Sequence, residues 1–276
     1  MALPTYASPL ERIWYFVHRV FCGAVLLFLV APILAVMPLS FNSVPFFTYP
    51  MPGLSLRWYR DFFLTDRWQG ALHNSIFIAV SVTLLSTVLG TLAALGLSRA
   101  NFPYRTAVMS LLISPIVVPV VISAVGMYFF YADVHLINTY TALILAHTTL
   151  ATPFVVITVT ATLMGFDHSL SRAASGLGAR PTTVFFKVIL PLILPGMISG
   201  SLFAFGTSFD EVVVVLFVAG PEQHTLPREM FAGIREQISP TITAAATVLI
   251  LVSVALLTTV ELLRRRSDRL RGIRQT

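Results

Sequence analysis

Cysteine, lysine and charge of either sign are scarce in this 276-residue chain. The single cysteine, Cys22, lies inside an apolar run, so neither an intrachain disulfide scaffold nor a cysteine-held metal is available, and no metal site is expected. Lys187 is the only lysine, and no G-x-x-x-x-G-K-[ST] segment surrounds it. The chain therefore lacks the loop that cradles ATP phosphates, and any ATP hydrolysis has to come from another polypeptide. No G-x-S-x-G segment is present either, which leaves Ser208 and His147 without the nucleophile motif of a hydrolase. Only 11% of residues are charged against 56% hydrophobic, with a mean hydropathy of +0.84. Soluble domains carry roughly 25% charged residues, so lipid is the solvent of this chain. Its formal net charge of +6 comes from cations flanking the apolar runs, which points to lipid headgroups and away from nucleic acid.

What fills the chain is apolar sequence of membrane length. Stretches free of Asp, Glu, Lys and Arg run from Val20 to Leu56, Trp68 to Ser98, Thr106 to Ala132, Val134 to Phe166, Val188 to Phe209 and Ile238 to Val260. A ~30 Å hydrocarbon core takes ~20 helical residues, so six transmembrane helices are predicted near 20–41, 74–97, 107–131, 138–163, 192–218 and 241–262. The N-terminal segment, the loops near 98–106 and 164–190, and the basic tail 263–276 then share one face and hold thirteen Lys and Arg residues against five on the other. That bias places both termini in the cytoplasm. The apolar run after Arg19 is far longer than the h-region of a signal peptide, so the first helix is expected to be retained. The chain reads as one all-helical transmembrane domain over 1–276, with its core near 70–262.

Outer loop 42–67 mixes Pro, Gly and aromatics with an Arg/Asp cluster, as suits an interfacial lid. Pro115 and Pro119 in the third span, Pro153 in the fourth and Pro195 in the fifth each remove a backbone donor, so these helices are expected to bend or break. Gly196 and Gly200 have the spacing that lets two helix backbones approach closely, within the chain or against a partner.

The stretch "SRAASGLGARPTTVFFKVILP", residues 171–191, interrupts the apolar pattern with three cations and small residues. Leu, Arg and Ala favour a short helix, Gly176 and Gly178 a turn, and Pro181 a new helix start. A connection between two spans needs only a handful of residues, so the loop 164–190 is a candidate docking surface. Its spacing resembles the cytoplasmic loop of the permease subunits of bacterial ABC importers, which is built as Glu-Ala-Ala, three residues, Gly, nine residues, Ile, one residue, Leu-Pro. Ala173, Ala174, Gly178, Val188, Leu190 and Pro191 stand at those spacings, and Arg172 reverses the charge of the usual Glu. The resemblance implies a type I ABC importer permease of the MetI-like, binding-protein-dependent family, with six helices and a coupling helix between the fourth and fifth. It also implies two ATPase subunits holding ATP and Mg, a second homologous permease, an extracytoplasmic substrate-binding protein, and residence in the bacterial inner membrane. This chain itself would hold no cofactor and would not be an enzyme.

The segment "FAFGTSFDEVVVVLFVAGPEQHTLPREMFAGIREQISPTITAAATVLI" and "GLSLRWYRDFF" resemble the spermidine/putrescine branch of these permeases, whose relatives also serve opines and amino-acid derivatives. Asp210 and Glu211 are adjacent acids at a span, ~28 Å along a continuous helix from Pro191. They are candidates for an outer gate facing a cationic solute, or alternatively for a helix-terminal ion pair. Ser208 and His147 complete the candidate path, with interhelical hydrogen bonding of His147 as the simpler role. Tyr128 to Tyr131 form either an interfacial aromatic belt or a cation-facing wall. The rival class is an ion-gradient transporter using Asp210, Glu211 and His147, which leaves the spacing of 171–191 unexplained.

Overall fold

The structure, a computed structural model, describes residues 8–98, 102–236 and 239–270. Helices account for the chain in order: α1 (Pro9–Leu39), α2 (Arg57–Leu64), α3 (Asp66–Leu97), α4 (Arg105–Val117), α5 (Val120–Asp133), α6 (Tyr140–Met164), α7 (His168–Gly176), α8 (Pro181–Val184), α9 (Leu190–Phe209), α10 (Val213–Val218), α11 (Leu226–Glu236) and α12 (Pro240–Leu270). Four spans are long and apolar enough to cross a membrane among the described residues, namely α1, α3, α6 and the continuous run Pro181–Phe209. The α4–α5 pair is a fifth if its two halves count as one. The end of the basic tail lies outside the described residues.

Two compact units divide the chain, Thr65–Ala232 and the remainder formed by the N-terminal 64 residues with Gly233 onward. In the first, α3, α6 and α9 all pack against one another. The buried positions of α9 are Ile193, Gly196, Gly200, Ala204 and Ser208, a stripe repeating every three or four residues along one helix face. Glycine is required on that stripe because α6 is so close. A Cβ on Gly200 would stand 2.8 Å from Val155 Cα, and one on Gly196 would stand 3.0 Å from Thr158 O. From α3, a Cβ on Gly90 would meet Val155 Cβ at 2.6 Å. Val155 therefore fills notches in both neighbours. The paired glycines serve contact within the chain, one of the two options that their spacing left open. Between helices in lipid there is no hydrophobic driving force, so van der Waals packing of this kind carries the association.

Prolines shape the rest of this unit. The third span is not one helix but two, α4 and α5, meeting at 103°. Val118 precedes Pro119, and the proline ring drives its neighbour out of helical geometry, to φ −72° and ψ 131°. Pro191 is accommodated differently. Residues Phe185–Ile189 form a π-turn in which the Leu190 N–H reaches back five residues to Phe185 O. Pro191 has no N–H to give to Lys187 O and its ring would press on that carbonyl, so a widened turn relieves both demands. The fifth helix ends at Phe209 rather than 218, with Asp210 at its C-cap, and a separate helix α10 follows whose Val214 N–H is taken by the Glu211 carboxylate at 2.9 Å.

In the second unit, α1 opens on a capping box of Ser8 and Glu11 and buries none of its residues. Asn42 organises the loop after it. Its Nδ2 donates to Phe46 O at 2.7 Å, its Oδ1 accepts the Val44 N–H, and its backbone oxygen accepts Trp58 Nε1 at 2.6 Å. Ser40 meets the Tyr59 hydroxyl at 2.7 Å, and Thr241 of α12 donates to Asp61 of α2. The loop after α1 is thus a folded element ending in the amphipathic α2.

Replacing Gly200 by leucine should force α6 and α9 apart at Val155. A loss of about 1–3 kcal/mol is expected, read as a lower melting temperature of the detergent-solubilised protein by fluorescence-detected size exclusion. An unchanged melting curve would contradict the close approach.

Candidate functional site

The loop between α6 and α9 is built as a rigid corner. Asp167 caps α7, its carboxylate accepting the Ser169 N–H at 2.9 Å. These hydrogen bonds from Ser169 hold the Asp167 carboxyl below its ordinary pKa. At the other end of α7, Ala179 N–H bonds to Ala174 O at 3.1 Å and Gly178 N–H to Ser175 O at 3.0 Å. This reciprocal pair closes a helix through a left-handed residue, and Gly178 supplies it with φ +85°. Arg180 is extended, and Pro181 then opens α8 at its first position. The expected sequence of short helix, glycine turn and second helix is therefore present.

Alignment of side chains on this corner matters more than its polarity. Leu170, Ala173, Ala174 and Leu177 recur at the three- and four-residue spacing of one helix face. Leu177 is 90% exposed and Leu170 46% exposed, Ala173 is exposed and Ala174 half-buried. Arg172 is also exposed. Val188 and Leu190 are half-buried at the π-turn, and Pro191 follows them.

At the opposite end of α9, two of the four candidate path residues meet. His147 Nδ1 of α6 and Ser208 Oγ of α9 lie 3.0 Å apart, both buried. The histidine thus joins two helices, the simpler of its two predicted roles. Asp210 caps the C-terminus of α9 and is exposed, whereas Glu211 is half-buried and spends a carboxylate oxygen on the α10 backbone. Neither acid bonds to His147 or Ser208. Phe130 and Tyr131 line a cleft of about 410 Å³ beside the α4–α5 break, together with Ser114, Ser123 and Thr149.

Sequence reasoning missed a clamp on the segment after α10. Asn74 of α3 donates through Nδ2 to Glu222 O at 2.9 Å and His224 O at 3.0 Å, while its Oδ1 accepts the Tyr140 hydroxyl at 2.9 Å. Ser75 Oγ accepts the Leu226 N–H at 2.8 Å, and Arg228 donates to Gly220 O at 2.8 Å. Gln223 closes the turn by accepting the Gly220 N–H at 3.1 Å. Beside it an open cleft of about 560 Å³ is walled by Asp66, His224 and the ion pair of Arg67 with Glu229. The available signal was Asn74 and Ser75, an amide and a hydroxyl inside an otherwise apolar run; such groups require partners when buried.

Residues 86–272 match the family described as binding-protein-dependent transport system inner membrane component. The chain is 33% identical over 254 residues to the spermidine/putrescine transport system permease protein PotC of Haemophilus influenzae, covering 92% of this chain and 98% of that one. It is 36% identical over 230 residues to the putrescine transport system permease protein PotI of Escherichia coli, covering 81% and 82%. A chain from the crystal structure of a bacterial ABC transporter involved in the import of the acidic polysaccharide alginate superposes with a TM-score of 0.73. That match covers 95% of this chain and 99% of the other at 15% identity, and it concerns the fold.

Asn74→Ala should release the clamped segment. Losing its amide removes the donor to the His224 carbonyl and leaves the Tyr140 hydroxyl and the Glu222 carbonyl only each other, at about 1–3 kcal/mol. Amide hydrogen exchange across 222–226 is expected to accelerate while that of α6 stays slow; equal protection in both proteins would remove the clamp.

Proposed function

The chain belongs to the family of binding-protein-dependent transport system inner membrane components, as a permease subunit of an ABC importer, and from that we propose how it works and what it carries. It crosses the membrane six times, with both termini in the cytoplasm. A second, homologous permease completes the translocation path, two ATPase subunits hold ATP and Mg, and an external binding protein delivers the solute. The cargo is a polyamine or a related amino-group compound.

One observation carries this reading above the others: the exposed stripe of α7 stands on a corner that continues through α8 and the π-turn into α9. A partner gripping that stripe grips a span. Closure of the ATPase pair on the α7 face would therefore displace α9, whose far end carries Asp210. Ala173 and Ala174 belong to the gripped face and Gly178 to its turn, Arg172 stands on the other side of the same helix, and Val188, Leu190 and Pro191 form the joint to the span. Asp210, exposed at the helix end, is the acid available to an arriving ammonium group, while Glu211 serves chiefly as a cap and Ser208 with His147 as the tie beneath them. The polyamine assignment is supported by identities of 33% and 36% to the two relatives and by this exposed acid.

Two substitutions test it. Gly178→Val places a β-branched residue in a left-handed conformation, at about 1–2 kcal/mol of strain, and should abolish ATP-driven putrescine or spermidine uptake in vesicles while the permease still reaches the membrane. Asp210→Asn should raise the half-saturating concentration severalfold with ATPase binding intact. Uptake driven by an ion gradient in the isolated chain, insensitive to Gly178→Val, would instead favour a secondary transporter.

A further inference from the structure

The break between α4 and α5 uncovers backbone near the middle of the charge-free run Thr106–Ala132. The Pro115 carbonyl has lost both of its ordinary helix donors, since the Val118 N–H goes to Ser114 O at 3.0 Å and Pro119 has no N–H. The Val118 carbonyl accepts no backbone hydrogen bond among the described residues. Bare carbonyls at membrane depth are tolerated where protein buries them or where they line a wet cavity, and Pro115 and Val118 both line the cleft of about 410 Å³ beside the break. The hydroxyls of this cleft divide into spent and free. Ser114 donates to Leu111 O at 2.8 Å and Thr149 to Leu145 O at 3.0 Å, the usual use of a hydroxyl in an apolar helix. Tyr131 is only 6% exposed, yet neither its hydroxyl nor that of Ser123 makes a hydrogen bond among the described residues. Phe130 lends the cleft an exposed ring, and no residue lining it is charged.

Buried acceptors and a buried hydroxyl without partners suit a ligand rich in donors, which a lipid chain is not. The last turn of a helix also carries partial negative charge, so the end of α4 favours a cation. The first residues of α5, Val120 and Val121, whose N–H groups would attract an anion, do not line the cleft. Resting on the importer reading above, we propose that the cleft is a subsite of the translocation path for a primary ammonium group on a methylene chain. The ammonium donates to the carbonyls of Pro115 and Val118 and to the hydroxyls of Tyr131 and Ser123, while the ring of Phe130 takes the charge or the methylenes beside it. The site then selects a diamine or longer polyamine over an opine or amino acid, because a carboxylate would meet bare carbonyl oxygens and no cation.

The test uses the whole importer in proteoliposomes, with both permeases, the ATPase pair and the binding protein, at saturating putrescine. Tyr131→Phe and Ser123→Ala each remove one hydroxyl and keep the shape of the cleft. Tyr131→Phe should lower the putrescine moved per ATP hydrolysed by about tenfold and Ser123→Ala severalfold, with the melting temperature and the ATP hydrolysis stimulated by the binding protein unchanged. Cryo-electron microscopy of the wild-type importer arrested with vanadate and putrescine should show the diamine against Tyr131. Full uptake by both variants, or a cleft filled by a lipid chain in the arrested importer, would overturn the subsite and leave the importer reading standing. Wild-type uptake of a carboxylated amino compound in place of putrescine would remove the polyamine cargo and the subsite together.

Discussion

Everything in the larger unit depends on how closely three helix backbones approach at Val155. Its side chain sits where Gly90 of α3 and Gly200 of α9 each lack a Cβ, so α6 is held against both helices by contacts that no larger residue at either glycine permits. Dispersion between backbones at that range replaces the hydrophobic effect, which lipid does not supply between helices. Polar ties then fix one end of the spine. His147 and Ser208 hold one level of α6 and α9, and Asn74 with Tyr140 joins α3 and α6 to the segment after α10.

The two ends of α9 have opposite characters because of this arrangement. Toward α7 the chain leaves the bundle through a corner closed by backbone hydrogen bonds, with Leu170 and Leu177 exposed. Toward α10 the helix ends against buried, hydrogen-bonded neighbours, and the acid that remains exposed, Asp210, is the cap itself.

Most of this was legible in the residues. Charge-free runs located four long apolar helices and the bent α4–α5 pair among the described residues, because a buried charge is costly in lipid wherever it falls. Gly178 and Pro181 located the corner, because left-handed backbone and a helix start each favour one residue type. Pro119 announced a break, yet its 103° angle depends on tertiary contacts that a sequence does not display. The end of α9 was misplaced by nine residues, since Glu211 reads as a membrane acid in sequence and acts as a helix cap in space. The Asn74 clamp joins residues about 150 positions apart, a pairing that no local pattern encodes.

The π-turn has a geometric consequence. A turn that takes five residues where four would do sets back every later side chain by about one residue, or ~100° of rotation. Val184 and Gly196 are both buried although twelve positions separate them, which in an unbroken α-helix would leave them about 120° apart. The setback brings them within about 20° of each other. The extra residue works as a vernier: it lets the sequence before Pro191 and the glycine stripe after it keep different registers while presenting one common side to the bundle. The length of Phe185–Ile189, more than its composition, keeps the corner and the span in phase.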